Sequence, residues 1–376
     1  METNLIRLGD CVLCNPTVKL TKGQLYSLID IDKIEIGRKF VTKKSLVSYS
    51  GQSGCKFEDG DTLMARITPC LENGKMAVAK IEDKGIGSTE LFVFRNREGV
   101  TDKEFVYYLF KQQYIRNLAA NSMTGASGRQ RADLKFVKRI KLNLPLLPIQ
   151  HRIASILSTY DMLIENNTKR IRLLEKMAEN LYKEWFVRFR FPGHENVKMV
   201  NGLPKGWKYV NFGKLSPIVT GKKDANFASP NGKYKFFTCS KADLMADSYS
   251  FDCFAIILAG NGDLNVKLYK GQFEAYQRTY VLTPYDISHI YISYYTIQSE
   301  LDRLLVGAAG AVIKFLTKGM IEKIKIVVPD QSLLRKFNIM LDANFKIRQN
   351  LIAQNTLLAR QRDLLLPRLM SGKLEV

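Results

Sequence analysis

Few residues of this 376-residue chain stand at spacings that support catalysis. The string Asn15-Pro16-Thr17-Val18 lacks the second proline and the aromatic residue of the loop with which adenine methyltransferases hold a flipped base, so it predicts a turn. Thr220-Gly221-Lys222-Lys223 has no glycine five residues earlier and no hydroxyl after its lysines, which excludes a phosphate-binding loop. Glu82-Asp83-Lys84 lacks the Pro-Asp partner of a nuclease motif. The sequence therefore offers no catalytic residue.

Metal and redox sites are equally poorly supported. Cys11 and Cys14 form one C-x-x-C pair, but no second pair follows at zinc-ribbon spacing. The three histidines, His151, His194 and His289, show neither ligand nor catalytic spacing. We interpret the cysteines as reduced structural thiols and expect no metal and no cofactor in this chain.

Charge points to a different chemistry. The chain has 57 Lys and Arg against 36 Asp and Glu, a net charge of +21. The excess is spread over the whole length, as expected if a long polyanion lies across the molecule, because phosphate contacts supply most nucleic-acid affinity. The first ten residues have mixed polarity and no long apolar run follows, so we expect a cytoplasmic protein without a membrane span.

Base edges are read by Arg, Lys, Asn and Gln on projecting segments, with Ser and Thr adding contacts. A glycine-bearing segment in the first half of the chain combines these types in Ser122, Thr124, Ser127, Arg129, Gln130 and Arg131. Weaker candidates in the same half are Lys43, Lys44, Arg66, Thr68, Ser88 and Glu90. In the second half the candidates are Lys222, Lys223, Asn226, Asn261, Gln277 and Arg278. For each residue the competing interpretation is a solvated surface or turn position.

Two long amphipathic segments must position these groups. Each has an apolar seam in alternating steps of four and three residues, with one repeated four, as in a coiled coil with a stutter. The second seam is the first shifted by 184 positions, from Ile153 to Phe337. We predict that the helices pair through Ile153, Ile156, Leu163, Ile171, Leu174 and Leu181 on one side and Phe337, Met340, Ile347, Leu351, Leu358 and Leu365 on the other. Asn167, Asn344 and Asn355 are candidates for fixing register.

The segments before the two helices repeat as well. Tyr107-Tyr108-Leu109 corresponds to Tyr294-Tyr295-Thr296 at an offset of 187, whereas the intervening glycine-rich and polar segments differ. Short β-rich runs separated by Gly, Asn and Asp alternate with helices. We therefore predict an α+β chain: two globular mixed α/β domains separated by a long antiparallel two-helix coiled coil, as a pseudo-twofold tandem repeat. The predicted bounds are 1–145 and 191–329 for the domains and 146–190 and 330–376 for the helices.

Several strings resemble the specificity subunits of type I restriction–modification systems. Leu144-Pro145-Leu146-Leu147-Pro148-Ile149-Gln150 is similar to the start of that family's central helix, and Leu366-Pro367-Arg368-Leu369-Met370-Ser371-Gly372 to its characteristic ending. Ile6-Arg7-Leu8-Gly9-Asp10 and Leu203-Pro204-Lys205-Gly206-Trp207 resemble the openings of its two recognition domains. Asp330-Gln331-Ser332, before the second helix, departs from the pattern because it lacks the proline and the aligned glutamine.

The resemblance implies a non-catalytic subunit that binds double-stranded DNA. Each domain would read one half of a bipartite site, and the helices would set the gap between the halves. The partners would be two modification subunits, which bind S-adenosylmethionine and methylate adenine, and motor-nuclease subunits that cleave unmodified DNA. Two other hypotheses stay open: an unrecognised DNA-modifying enzyme, and an RNA-binding or structural scaffold.

Overall fold

A computed structural model describes residues 3–42, 45–126, 128–307 and 315–375 of the chain. The chain divides into two compact units. Unit 1 comprises Met1–Ile171 and Asn350–Val376, and unit 2 comprises Arg172–Gln349. Both boundaries fall inside long helices, so each unit contains a segment of each helix. In the described ranges no helix is both long and apolar enough to cross a membrane.

Unit 1 and the first long helix contain eleven strands and five helices in the described residues. They are β1 (Thr3–Arg7), α1 (Leu8–Cys11), β2 (Val12–Cys14), β3 (Leu25–Ile29), β4 (Phe40–Thr42), β5 (Ser45–Ser48), β6 (Cys55–Glu58), β7 (Thr62–Ala65), β8 (Met76–Lys80), β9 (Lys84–Gly87), β10 (Leu91–Asn96), α2 (Lys103–Lys111), α3 (Gln113–Asn121), α4 (Leu134–Arg139), β11 (Lys141–Pro145) and α5 (Leu147–Tyr182). A five-stranded sheet has the order β2-β10-β7-β8-β4, and a four-stranded sheet the order β5-β3-β9-β6.

The described part of the chain continues with ten strands and three helices. They are β12 (Met199–Val200), β13 (Leu203–Pro204), β14 (Lys208–Asn211), β15 (Ile218–Thr220), β16 (Tyr234–Phe237), β17 (Leu244–Ala246), β18 (Phe251–Ala259), β19 (Val266–Ala275), β20 (Thr279–Leu282), α6 (Ile290–Gly307), α7 (Lys318–Glu322), β21 (Lys325–Val328) and α8 (Gln331–Met370). The main sheet of unit 2 has the order β15-β20-β18-β19-β16-β17.

The main sheet of unit 2 repeats the five-strand topology of the main sheet of unit 1 and adds β17 at one edge. In unit 1, β4 is parallel to β8 and the other neighbours are antiparallel; in unit 2, β16 is likewise parallel to β19 and the other pairs are antiparallel. Strand β1 pairs antiparallel with β11, and β14 with β21, so in both units the opening strand joins the strand that precedes the long helix. Both units are mixed α/β, and they share the order and the directions of these strands.

A glycine makes the same close approach in both units. A Cβ on Gly9 would lie 3.0 Å from the Cβ of Lys138 on α4, and one on Gly213 would lie 3.0 Å from the Cγ of Glu322 on α7. Any larger residue would push the opening segment away from the short helix before the last strand. This contact explains why Leu8-Gly9 and Phe212-Gly213 recur at the two domain openings.

The buried amide of Gln150 ties the start of α5 to unit 1. Its Oε1 accepts a hydrogen bond from the backbone N–H of Asp102 at 3.0 Å, and its Nε2 donates to the carbonyls of Val100 and Pro145 at 3.0 and 2.8 Å. Because the side chain is fully buried, its loss would leave three polar backbone groups without partners. The corresponding position 184 residues later is the buried Leu334, and there Asp330 caps the helix by accepting from the Leu333 N–H at 2.9 Å.

Segments of α5 and α8 contact each other in antiparallel order inside each unit. In unit 1, Asn167 donates to Gln354 and Asn355 donates to Thr168, each at 3.4 Å. In unit 2, Asn344 donates to the Leu174 carbonyl at 3.0 Å. The three asparagines considered for fixing register therefore all lie between helices.

Several predicted pairing residues are misplaced by one position. The side chains of four of them are exposed: Ile156 (37%), Leu163 (46%), Met340 (48%) and Ile347 (43%). The neighbouring Leu157 and Leu341 are buried instead, because the double four-residue step lies at Ile153–Leu157–Asp161. The charged Asp161 concealed this step from a pattern built on apolar residues. Ile153, Phe337 and Leu351 are buried as predicted, while Ile171, Leu174, Leu181, Leu358 and Leu365 are half-buried.

A buried ion pair joins the two helices in unit 1. The guanidinium of Arg362 on α8 contacts the carboxylate of Asp161 on α5, and both side chains are 1% exposed. The second carboxylate oxygen accepts from the hydroxyl of Tyr108 on α2 at 2.5 Å. Burial, followed by the charge of Asp161, raises the pKa of Tyr108, so the hydroxyl remains a donor.

Unit 2 has an apolar pair where unit 1 has this ion pair. Shifting Asp161 and Arg362 by 184 positions gives Phe345 and Ala178. Ala178 is buried in the hydrophobic core of unit 2, and the half-buried Phe345 packs against that core. Phe345 packs against the ring of Phe254 at a centroid distance of 5.3 Å. The same frame thus accommodates charge in one unit and hydrocarbon in the other.

The C-terminal string of the chain is part of the core of unit 1. Leu366, Leu369 and Met370 are buried there, and Gly372, at a φ of +72°, ends α8 by donating to the Leu369 carbonyl at 3.2 Å. The residues 184 positions earlier, Tyr182, Trp185 and Phe186, are buried in unit 2. The end of α8 is therefore buried in unit 1, and the residues at the end of α5 are buried in unit 2.

We predict that Asp161→Leu destabilises unit 1 by about 3–5 kcal/mol, because it leaves the Arg362 guanidinium buried without its carboxylate. The double variant Asp161→Phe/Arg362→Ala, which installs the pair found in unit 2, is expected to recover most of that loss. Urea unfolding combined with hydrogen exchange of α2 peptides reports on unit 1. A double variant as unstable as the single one would show that the ion pair itself, and not the filled volume, stabilises the unit.

Candidate nucleic-acid interface

The described residues between α3 and α4, 122–126 and 128–133, form the two arms of a short hairpin in unit 1. Thr124 and Arg131 exchange two backbone hydrogen bonds, at 3.1 and 3.0 Å, which close the hairpin. Gly125 has a φ of +120°, which the turn requires and which other residues rarely adopt. The side chains of Thr124, Arg129 and Arg131 are exposed on it, and Gln130 is half-buried. These four predicted residues are brought together.

Arg131 is held in a fixed direction at this surface. Its Nε lies 3.0 and 2.9 Å from the two carboxylate oxygens of Glu90, and its Nη2 lies 2.6 Å from one of them. The hydrogen bond from Arg131 lowers the pKa of Glu90, so the pair stays ionised around neutral pH. A guanidinium presented this way retains donors for a base edge or a phosphate.

Backbone hydrogen bonds attach the hairpin to the sheet. The N–H of Thr68 donates to the Gln130 carbonyl at 3.0 Å, and the N–H of Ala132 donates to the Arg66 carbonyl at 2.8 Å. The N–H of Arg66 donates in turn to the Glu90 carbonyl at 2.9 Å. Segments 66–68, 88–90, 124–126 and 128–132 are therefore joined to one another.

Two predicted DNA-contacting residues use their polar groups inside unit 1. The Arg66 guanidinium lies 5.0 Å from the centre of the Phe92 ring and donates to the Ala132 carbonyl at 3.2 Å. The Ser122 hydroxyl donates to the Ala119 carbonyl at 2.7 Å and accepts from the Asp133 N–H at 3.1 Å. These contacts favour structural roles for both residues. The predicted candidates Lys43, Lys44 and Ser127 lie outside the described residues.

In unit 2 the predicted residues occupy two adjoining segments. The N–H of Gln277 donates to the Lys223 carbonyl at 2.9 Å, which joins the turn between β19 and β20 to the segment after β15. Lys223 also stacks its ammonium 4.4 Å from the centre of the Phe227 ring. Lys222, Asn226, Gln277 and Arg278 are exposed beside it. Five predicted side chains thus share one basic surface.

The loop that carries Asn261 adjoins the same surface. The N–H of Gly260 donates to the Arg278 carbonyl at 2.9 Å, and Asn261 forms an isolated β-bridge with Phe315. The Cys239 thiol also donates to the Arg278 carbonyl, at 3.4 Å. The turn before β20 corresponds in the sheet to the turn before β10, which carries Glu90. Both units therefore present polar groups at equivalent sheet edges.

The sequence reading missed a cluster of lysines next to this surface. Lys235 on β16 and Lys267 on β19 both contact the carboxylate of Asp243, at 2.7 and 2.8 Å. Burial opposes ionisation of Asp243, but these two hydrogen bonds lower its pKa overall. Each lysine alternates with apolar residues along its strand, and this alternation in the sequence predicts a lysine on the exposed face of a strand.

The possible metal ligands of the described residues are scattered. In the described part of the chain, no group of three or more His, Cys, Asp or Glu side chains could hold a metal ion. Burial raises the pKa of Cys11 to about 12 and that of Cys14 to about 11, so both thiols stay protonated and are poor ligands. All six cysteines are free.

Comparison with known proteins identifies related sequences. Residues 20–176 match the family described as the type I restriction modification DNA specificity domain. The type I restriction enzyme EcoDI specificity subunit of Escherichia coli is 35% identical over 176 residues, which cover 46% of this chain and 39% of that subunit. The MjaIX specificity subunit of Methanocaldococcus jannaschii is 26% identical over 317 residues, covering 75% and 72%. The match to the E. coli subunit thus spans well under half of that protein's length.

A solved structure agrees with the fold. The S subunit of the type I restriction-modification system from M. genitalium superposes with a TM-score of 0.56 and 16% identity, covering 98% of this chain and 96% of that one. At this identity the likeness concerns the fold: the described frame of both units is shared.

We predict that Arg131→Ala weakens binding to the cognate duplex by about 1–3 kcal/mol, because it removes a guanidinium that is already held in place. Arg139→Ala, which removes an exposed arginine of α4 outside the hairpin, is the matched control and should have a small effect. Fluorescence anisotropy of duplex DNA with the assembled complex at fixed salt measures both. Equal losses in the two variants would assign Arg131 to general electrostatics.

Proposed function

Since this chain belongs to the family of type I restriction–modification specificity subunits, we propose that it reads a bipartite DNA site, one half with each unit. The observation that carries the proposal is the repetition of one sheet topology in two units whose exposed polar segments differ. A shared frame with different loops suits two readers of different sequences on the same kind of duplex.

The proposed contacts in unit 1 centre on the hairpin. Thr124, Arg129, Gln130 and Arg131 would approach a groove, with Arg131 held by Glu90. In unit 2, Lys222, Lys223, Asn226, Gln277 and Arg278 would do so, with Asn261 beside them. The net charge of +21 would supply affinity that does not depend on sequence, while these side chains would discriminate bases.

We further propose that α5 and α8 form an antiparallel coiled coil that sets the gap between the half-sites. The hydrogen bonds of Asn167 and Asn355 in unit 1 and of Asn344 in unit 2 support antiparallel pairing at separate levels of the helices. Polar pairs inside a seam fix register, so they would keep the gap constant.

In this proposal the chain binds and orients DNA and performs no bond-making step. Two modification subunits would bind S-adenosylmethionine and methylate an adenine in each half-site, and motor-nuclease subunits would cleave unmodified DNA. The relatives are named as specificity subunits, which supports this division of labour. We expect the complex to act in the cytoplasm.

Exchanging residues 1–145 for the corresponding domain of a relative should change one half of the methylated motif, because each unit would read its own half-site. Methylome sequencing of a host that carries the modification subunits, with the native or the exchanged chain, tests this prediction. A host without the chain is the control and should show no methylation at the motif. A change in both halves would contradict independent reading.

Inserting seven residues after Asn167 and seven after Leu351 should lengthen the spacer in the methylated motif. Seven residues preserve the seam and add about 10 Å of helix, or roughly three base pairs. A two-residue insertion at the same points rotates the seam and serves as the disrupted control. An active complex with seven-residue insertions and an unchanged spacer would show that the helices do not set the gap.

A further inference from the structure

A cavity of about 460 Å³ lies in unit 1 between the α2–α3 junction and the end of α8. Its volume falls in the range of small-molecule pockets and exceeds what a bare ion needs. Met76 and Leu366 form apolar parts of its wall, and Tyr114, which is 61% exposed, contributes an aromatic ring at the lining. None of the polar segments that face DNA in the proposed function lines it.

Cations outnumber acids in this cavity. Lys111, Arg116 and Arg362 line it with a single carboxylate, that of Asp363. Arg362 occupies that carboxylate at 2.9 Å, whereas the ammonium of Lys111 lies 3.9 Å away, beyond hydrogen-bond distance. Burial, followed by the charge of Arg362, lowers the pKa of Lys111, so the long ion pair with Asp363 does not offset the loss of solvent.

Gly74 makes room for the guanidinium of Arg116. Gly74 has a φ of +70°, and a Cβ placed there would lie only 1.9 Å from Nη1 of Arg116. The Nε of Arg116 is buried and has no hydrogen-bond partner. Its Nη2 donates to Gln113, a neutral side chain. The guanidinium is therefore packed closely without being neutralised.

The equivalent positions of unit 2 lack this excess. At the offset of 187, Lys111 corresponds to Gln298 and Gln113 to Glu300. Glu300 contacts Arg303, the counterpart of Arg116, at 2.7 Å. Within one repeated frame, unit 2 has one cation paired with an acid at these positions, whereas unit 1 has two cations and only the long contact between Lys111 and Asp363. Packing of the frame therefore does not require them.

We propose that this cavity binds a small oxyanion of the phosphate class, as the free ion or as a monoester with an aromatic or apolar moiety. Lys111 and Arg116 would each donate charge-assisted hydrogen bonds to the oxyanion. Tyr114 and the wall formed by Met76 and Leu366 would contact the rest of the ligand. This site is separate from the proposed DNA surface and does not depend on that function.

The test is calorimetric titration of the full chain with AMP, inorganic phosphate and adenosine at fixed salt. We expect one saturable AMP site and no adenosine binding. The variant Lys111→Gln/Gln113→Glu, which installs the residues of unit 2, should weaken AMP binding at least tenfold. Gly74→Ala should also weaken it, by displacing Arg116. The control Lys135→Gln/Arg139→Gln removes two exposed charges of α4 and should stay within twofold.

Each outcome has a definite meaning. Phosphate binding as tightly as AMP, and lost in the unit 2 variant, supports the site and assigns it the free ion. Absence of saturable binding, or equal loss in the variant and the control, overturns the proposal. If the wild type binds no AMP but the variant alone loses affinity for duplex DNA, the cavity serves the DNA backbone and the proposal is wrong. Circular dichroism verifies that each variant is folded.

Discussion

The buried contact between Asp161 and Arg362 fixes how the two long helices meet in unit 1. Two charges at 1% exposure are stable only while they face each other, so α5 and α8 must meet in one register at this level. Tyr108 extends the constraint to α2, and its hydroxyl also receives a hydrogen bond from the buried Lys39 at 3.2 Å. The last helix of the chain is thereby fixed to the core of the first domain.

This constraint explains an arrangement that would otherwise be costly. Unit 1 is completed by residues 350–376, which are distant in the sequence from the rest of that unit, whereas unit 2 is continuous and begins with residues 172–187 at the end of the first long helix. Apolar seams alone are permissive about register, because sliding by a turn still buries hydrocarbon. Unit 1 has a charged pair at these helix positions, whereas unit 2 has Phe345 and Ala178. An exchange of the two helix ends would therefore bury an unpaired charge.

A rigid frame lets the exposed segments vary. Strand order, the close approach at Gly9 and Gly213, and the helix ends recur in both units. The attachment of the segment before the short helix recurs as well: the N–H of Ala132 donates to the Arg66 carbonyl, and the N–H of Leu316 donates to the Gly260 carbonyl, each at 2.8 Å. The exposed side chains beside these attachments differ between the units. Side chains such as Arg131 gain fixed directions from contacts with the frame, here with Glu90. In the same frame, Arg116 faces the neutral Gln113 where its counterpart Arg303 contacts Glu300, which is how a second kind of site can arise beside an unchanged core.

Periodicity and internal repetition in the sequence alone determined the class of the fold, the two long helices, their offset of 184 and the segments that carry polar residues. These features are local or repeated, so they can be read along the chain. The pairing of Asp161 with Arg362 could not be read that way, and it displaced the predicted seam from Ile156 and Leu163 to Leu157 and Ile164. In the sequence, Arg66 and Ser122 look like DNA-contacting residues. In the structure, the Arg66 guanidinium lies over the Phe92 ring and the Ser122 hydroxyl donates to a backbone carbonyl. Only tertiary structure decides such cases, because burial and hydrogen-bond partners come from residues far apart in the chain.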